Sequence, residues 1–306
     1  MSNDQGGLRA LIAALAANIG IAISKFVAFL FTGSSAMLAE AVHSFADSSN
    51  QVLLLIGGRH AGRPPDDQHP FGHGAARFLY AFLVAVVIFL AGGVFAMYEA
   101  WHKFADPHPL EEPVWAFGVL VVSIGLESFS LRTAVKESRA RRGSLSWAQF
   151  VRRTKAPELV VVVLEDLGAL TGLVFALVGV TFAVLTGDGR WDAVGTLAIG
   201  ILLVLIAIVL ARQTSSLLVN EAADPVMVER ISTALGEEPG VERVIHLRTA
   251  HLGPDEVLVG AKIAVDGSAS AAEVAHTIDG AEERARAAVP YECVIYLEPD
   301  LYRGGP

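Results

Sequence analysis

Six long apolar stretches occupy the first two thirds of the chain, at lengths typical of membrane-spanning helices. They cover roughly residues 8–31, 36–58, 78–101, 115–131, 159–185 and 191–211. A helix needs about 20 mainly apolar residues to cross the hydrocarbon core of a bilayer. The first stretch is too long for the apolar part of a cleavable signal peptide, so we interpret it as a span. We therefore predict an α-helical membrane protein with six transmembrane helices.

After about residue 220 the pattern changes to short amphipathic segments, which predict a small α+β domain. A helix is expected from Asp224 to Leu235, with Pro225 at its first helical position. Two strands, a second helix and a final strand follow over 241–250, 256–265, 270–287 and 292–298. This order, α-β-β-α-β, predicts a ferredoxin-like domain with one open sheet face. We place the domains at 1–212 and 213–306.

Composition agrees with this division and excludes several classes of protein. The 306 residues are 53% hydrophobic with a mean hydropathy of +0.50, which is too apolar for a soluble protein of this size. The single cysteine, Cys293, excludes an internal disulfide and a zinc site built from cysteines. Residues 221–306 hold 16 acidic and 7 basic residues, which equals the whole formal net charge of −9. The membrane domain is therefore neutral, and the acidity belongs to the second domain.

Basic residues in the loops predict the orientation. The loop after the second span carries Arg59, Arg63 and Arg77, and the loop after the fourth is the richest in lysine and arginine. The opposite loops are short or acidic. By the positive-inside rule, both termini and the second domain face the cytoplasm of a plasma or inner membrane. We interpret the arginine-rich loop as a topology signal that contacts lipid headgroups, and expect no nucleic-acid partner.

The second span carries the first candidate chemistry. Glu40, His43 and Asp47 fall at i, i+3 and i+7, so they share one face of a helix. Ionisable groups inside a membrane are costly and normally face a polar cavity or a partner charge. An imidazole one turn from a carboxylate is half of a tetrahedral metal site with nitrogen and oxygen ligands. A buried hydrogen bond between His43 and Asp47 is the structural alternative.

The fifth span carries two adjacent acids, Glu165 and Asp166, which lie 100° apart on a helix. Two carboxylates in lipid need a counter-cation, and a metal ion, a proton or Lys25 would each serve. Glu127, in the fourth span, is a further buried acid. A run of small residues on the Glu165 side should let the second span approach closely; it comprises Gly168, Ala169 and Gly172.

Two motifs resemble the cation diffusion facilitator family of divalent metal transporters, in a branch similar to the mitochondrial zinc exporter of animals. They are TGSSAMLAEAVHSFADSSNQ in the second span and HPFGHGAARF at 69–78. The resemblance implies His43 and Asp47 as metal ligands. The family's two ligand positions in the fifth span fall on Glu165 and Ala169, so one ligand is missing and Asp166 is the nearest substitute. The expected ligands are therefore His43, Asp47, Glu165 and Asp166.

The resemblance also implies the activity. We expect export of a divalent cation from the cytoplasm in exchange for protons, with zinc favoured and with Mn²⁺, Fe²⁺ or Co²⁺ as alternatives. The second domain would join two copies into a homodimer. No resident cofactor and no enzyme activity are expected, since a membrane metalloenzyme would need a motif such as His-Glu-x-x-His. A non-transporting metal sensor or partner subunit of the same fold is the other alternative.

The end of the chain departs from the family pattern. The family often ends in His-x-Glu-Pro, with the histidine binding a regulatory metal. This chain has Tyr296 at the histidine position, followed by Leu297, Glu298 and Pro299. The second domain is therefore expected to bind zinc weakly at most. His246, His251 and His276 are interpreted as surface histidines.

Overall fold

The computed structural model describes residues 18–302, and its first part is helical. Its helices are α1 (Asn18–Thr32), α2 (Ser35–Ala61), α3 (Ala76–Leu83), α4 (Ala91–Ala105), α5 (Pro113–Arg142), α6 (Trp147–Arg153), α7 (Pro157–Thr186) and α8 (Arg190–Leu218). A π-helical segment, Val84–Leu90, joins α3 to α4. Nothing in the sequence pattern indicated this wider turn within the third span.

Four helical segments are long and apolar enough to cross a membrane. They are Ala76–Ala105, Pro113–Arg139, Pro157–Thr186 and Arg190–Leu218. The first predicted span lies partly outside the described residues, and its described part forms the shorter apolar helix α1. Helix α2 has 27 residues, but it is too polar to be counted with the four. The prediction of six spans is thus supported for four, and α2 is the helix that carries the candidate chemistry.

Glycines allow α7 to approach two neighbouring helices. A Cβ atom at Gly172 would lie 2.6 Å from Glu40 Oε1 of α2, which is closer than such atoms can approach. A Cβ atom at Gly168 would instead lie 2.6 Å from Ile206 Cδ1 of α8. In the small-residue run, Gly172 therefore lets α2 approach α7 closely, as expected. For Gly168 the expectation was wrong, because its side of α7 faces α8.

The N-terminus of α2 is bound to α8 by a buried carboxylate. Asp192 accepts hydrogen bonds from Ser34 Oγ at 2.6 Å, from the Ser35 backbone N–H at 2.7 Å and from Ser35 Oγ at 3.0 Å. The first N–H groups of a helix have no partner within the helix, and a carboxylate beside them also complements the helix dipole. Asp192 thereby fixes the end of α2 and the direction in which its polar face runs.

The second part of the chain has the predicted order α-β-β-α-β. It contains α9 (Pro225–Gly236), β1 (Val241–Gly253), β2 (Glu256–Val265), α10 (Ala271–Ala288) and β3 (Glu292–Asp300). The sheet order is β1-β2-β3, with β1 and β2 antiparallel and β2 and β3 parallel. Helix α10 makes the crossover between the two parallel strands. Together with α9 it covers the apolar core of this small domain.

The described residues form two compact units. One contains the residues up to Gly57 together with Leu79–Thr214, and the other joins Gly58–Phe78 to the residues from Ser215 onward. The segment Gly58–Phe78 lies against the sheet of its own unit. A Cβ atom at Gly74 would lie 3.1 Å from Gly253 Cα, and the rings of Phe71 and Tyr296 meet edge to face. The loop between α2 and α3 is therefore part of the small domain's surface.

Candidate metal site

The predicted polar face of α2 is buried in the helical unit. Glu40, His43 and Asp47 expose 0%, 3% and 7% of their surface. His43 Nδ1 lies 3.5 Å from Asp47 Oδ1, which is long for a hydrogen bond. His43 Nε2 and Asp47 Oδ1 are buried and have no hydrogen-bond partner among the described residues. The structure therefore does not show the closed hydrogen bond of the structural alternative, and both atoms are without a partner among the described residues.

Lys25 of α1 neutralises Glu40 of α2 and not Glu165 or Asp166, the two acids for which the sequence suggested it. Its ammonium group is fully buried, lies 2.9 Å from Glu40 Oε2 and donates to Ser44 Oγ at 2.7 Å. In the described part of the chain, Lys25 makes no hydrogen bond or ion pair with Glu165 or Asp166. The suggestion that Lys25 is their counter-cation is therefore wrong in this structure, and their charge requires another partner.

The two acids of α7 face different helices, as their 100° separation requires. Glu165 Oε2 accepts a hydrogen bond of 2.6 Å from Asn50 Nδ2 of α2. Asp166 Oδ2 accepts one of 3.0 Å from Ser130 Oγ of α5. Glu165 is thus on the side of His43 and Asp47, whereas Asp166 turns toward α5.

A small polar cavity is lined by three of the four predicted ligands, although their ligand atoms do not all lie within 4.8 Å of one another. It has a volume of about 30 Å³, and it is lined by Asn18, Ile21, Ser44, Asp47, Gln51, Glu127, Ser130, Glu165 and Asp166. A single water needs roughly 10–15 Å³ of such space, so the cavity can hold a small ion or about two waters. His43 is one turn from Asp47 but is absent from the lining. The cavity therefore has four carboxylates from three helices, with an imidazole nearby.

Carboxamide residues are the part of this environment that sequence reasoning missed. Asn50 and Gln51 follow Asp47 on α2, and Asn50 Oδ1 and Gln51 Oε1 are buried without a hydrogen-bond partner among the described residues. Asn50 lies at i+7 from His43 and i+3 from Asp47, so periodicity could have placed it on the same face. Its amide was overlooked because it carries no charge.

A second cluster suitable for a metal ion lies in the segment Gly58–Phe78. Ligand atoms of Asp66, His69 and His73 all lie within 4.8 Å of one another, and in the described part of the chain this is the one group of three that does so. Backbone N–H groups of His69 and Gln68 hold the pKa of the exposed Asp66 below its usual value. The Asp-x-x-His-x-x-x-His spacing, which overlaps the second family motif, could have indicated this cluster.

The histidines of the small domain do not all match their prediction. Tyr296 is exposed where the family often has histidine. His251 is buried, with its ring edge-on to Tyr291 and Nδ1 at 3.3 Å from the Gly253 carbonyl oxygen. The interpretation of His251 as a surface residue was therefore wrong, because its strand end folds into the core.

Comparison with known proteins identifies the family of this chain. The profile described as the cation efflux transmembrane domain matches residues 11–219, and that of the cation efflux protein, cytoplasmic domain, matches residues 223–300. A solved MamM-CTD structure aligns with 26% of this chain and 93% of its own, at 20% identity and a TM-score of 0.24.

Curated relatives agree with the profiles. The protein named proton-coupled zinc antiporter SLC30A9, mitochondrial, from Xenopus laevis is 32% identical over 79% of this chain and 44% of its own length. Metal tolerance protein C4 of Arabidopsis thaliana is 29% identical over 87% of this chain and 58% of its own. The manganese efflux system protein MneP of Bacillus subtilis is 24% identical over 83% of both chains. This chain spans less than half of the Xenopus relative, but with both profiles matched it belongs to the cation diffusion facilitator family of metal transporters.

Proposed function

We propose that this chain exports a divalent cation, with zinc favoured, from the cytoplasm in exchange for protons. The observation that carries the proposal is the cavity among α2, α5 and α7, where Asp47, Glu127, Glu165 and Asp166 meet. Four carboxylates cannot all be ionised in such a place without positive charge. A divalent cation and protons are the charges that can enter and leave.

The same groups explain why metal and protons would compete. A carboxylate or an imidazole must be deprotonated before it can bind a metal, so each proton that binds disfavours the metal. Protons arriving from the far side would release the cation and leave a nearly neutral site to return through the membrane. The Xenopus relative is named a proton-coupled zinc antiporter, which agrees with this exchange.

The ligand chemistry favours zinc without excluding other cations. His43 supplies nitrogen, and Asp47, Glu165 and Asp166 supply oxygen, a mixture that tetrahedral zinc sites use. A site so rich in oxygen also suits Mn²⁺ or Fe²⁺. MneP is named a manganese efflux protein, so manganese is the cargo to test first beside zinc. We propose no resident cofactor and no catalytic activity.

The basic loops support an orientation with both termini in the cytoplasm of a plasma or inner membrane. In this orientation the small acidic domain is cytosolic, in agreement with the name of the profile it matches. The Xenopus relative is named mitochondrial, so the kind of membrane in which this chain lies also belongs to the proposal. The small domain would join two copies into a homodimer, surrounded by lipid.

Flux measurements in vesicles test the proposal. Purified protein in liposomes that contain a zinc indicator should take up Zn²⁺ faster when the inside is more acidic than the outside. Mn²⁺, Fe²⁺ and Co²⁺ added as competitors rank the possible cargoes. Zinc that binds but does not move would support the alternative of a metal-sensing or partner subunit. No binding and no flux of any of these cations would reject the proposal.

A further inference from the structure

Among the polar residues beside the α7 carboxylates that are not predicted ligands, Asn50 is the most deeply buried. It is fully buried, its Nδ2 donates to Glu165 Oε2 at 2.6 Å, and its Oδ1 has no partner among the described residues. We propose that Asn50 binds the transported cation through Oδ1. This inference rests on the proposed function and adds a ligand to the same site.

The hydrogen bond to Glu165 determines which amide atom is free. With the cation bound, Glu165 is ionised and can only accept, so the Asn50 atom that faces it is then the nitrogen. The oxygen of the same amide is then left as a buried acceptor. Burying an acceptor without a partner costs free energy, and such atoms call for an explanation such as an unseen ion.

The surroundings favour a cation over another hydrogen-bond donor. Asp47 Oδ1 and Gln51 Oε1, on the same stretch of α2, also accept no hydrogen bond from the described residues. Lys25, the buried cation on α1, is already bound to Glu40 and Ser44. Asp47 and Asn50 are about one helical turn apart on one face of α2, and unpaired oxygens in such a place suit a divalent cation.

The Asn50 amide also supplies an oxygen ligand that α7 lacks. Ala169 stands at the second ligand position of α7 and has no donor atom, whereas Asp166 turns toward Ser130 of α5. Together His43, Asp47, Asn50 and Glu165 offer one nitrogen and three oxygens, which is the number of ligands that a tetrahedral site needs once the side chains converge on the cation. Asp166 is then not required as a ligand, in contrast to the set expected from the sequence.

Zinc binding to the purified full-length protein in detergent tests this assignment. The experiment uses a background in which His69→Ala and His73→Ala remove the second cluster. We expect Asn50→Ala to weaken Zn²⁺ affinity by at least about tenfold, as loss of groups around a bound metal does. Ser49→Ala is the matched control, since Ser49 lies beside Asn50 on α2, donates to the Phe45 carbonyl oxygen of its own helix and does not line the cavity. It should change affinity less than about threefold.

Asn50→Asp separates a ligand from a residue that only positions Glu165. Aspartate keeps an oxygen but has no N–H to donate, so a ligand role predicts affinity close to the unsubstituted value. A positioning role predicts that Asn50→Asp binds as weakly as Asn50→Ala, and that result would overturn the proposal. So would normal affinity in Asn50→Ala, or an equal loss in Ser49→Ala. If Asn50→Ala does not fold, the Asp variant alone decides. Failure of the unsubstituted background to bind zinc would instead reject the proposed function.

Discussion

At the scale of single residues, the buried pair of Lys25 and Glu40 has the largest electrostatic consequence for stability. Both side chains are fully buried and their charged atoms lie 2.9 Å apart. Removing one partner of such a pair leaves an uncompensated charge in a medium of low polarity, whereas removing both leaves none. Loss of one member of the pair therefore lowers the stability more than loss of both members.

A double-mutant cycle measures this coupling. We predict that Lys25→Met alone lowers the free energy of unfolding by about 3–5 kcal/mol, and that adding Glu40→Gln to it recovers much of the loss. Unfolding in detergent, followed by circular dichroism, gives the four free energies. A loss in the double variant equal to the sum of the losses in the two single variants would show that the pair is not coupled.

At the scale of elements, sequence periodicity predicted which residues share a face but not what they meet. Glu40, His43 and Asp47 lie on one buried face because the helix has a fixed period. The partner of Lys25 depends on how α1 is rotated against α2, which no local pattern specifies. In the small domain the helix starts were predictable, because Asp224 and Ser270 cap α9 and α10 through local hydrogen bonds.

Helix α7 offers a test of which acid binds the cation. Glu165 faces α2 through Asn50, and Asp166 faces α5 through Ser130. We predict that Glu165→Gln weakens Zn²⁺ affinity at pH values where the carboxylate would be ionised, since a ligand competes with protons directly. Asp166→Asn should change the transport rate or stability and leave affinity nearly intact.

Titration of both variants with zinc at two pH values distinguishes them, with the unsubstituted protein as reference. Normal affinity in Glu165→Gln together with lost affinity in Asp166→Asn would reverse the assignment. It would make Asp166, which also lines the cavity, the ligand that α7 supplies.

The small domain should behave as an independent element. It has its own core, which includes Ile231, Leu235, Val259 and Ile295. We predict that residues 213–306, expressed alone, form a soluble dimer, because a small sheet with an open face tends to find a partner. Zinc should bind weakly at most, since Tyr296 stands at the family's histidine position. Sedimentation and calorimetry measure the two properties, and a tight stoichiometric zinc site would contradict the second.

At the scale of the whole molecule, the polar residues of α2 connect structure with transport. They lower the hydropathy of α2 below that of the four clear spans. They can remain buried because neighbouring helices supply partners, such as Lys25 of α1 and Glu165 of α7. The sequence predicted the polar face and the family. It could not predict the cavity, because Glu127 and Asp166 enter it from helices whose rotation depends on packing across the bundle.

Asp47 should be indispensable for transport but not for folding. It lines the cavity, and its Oδ1 has no hydrogen-bond partner among the described residues, so Asp47→Ala removes a ligand without breaking a hydrogen bond at that atom. We predict that purified Asp47→Ala elutes as the folded dimer and inserts into liposomes, yet shows no Zn²⁺ flux above protein-free vesicles. Asp106→Ala is the matched control, because it removes the same charge from an exposed position and should leave flux unchanged. Flux at the unsubstituted rate in Asp47→Ala would exclude Asp47 as a ligand and move the transport path away from this cavity.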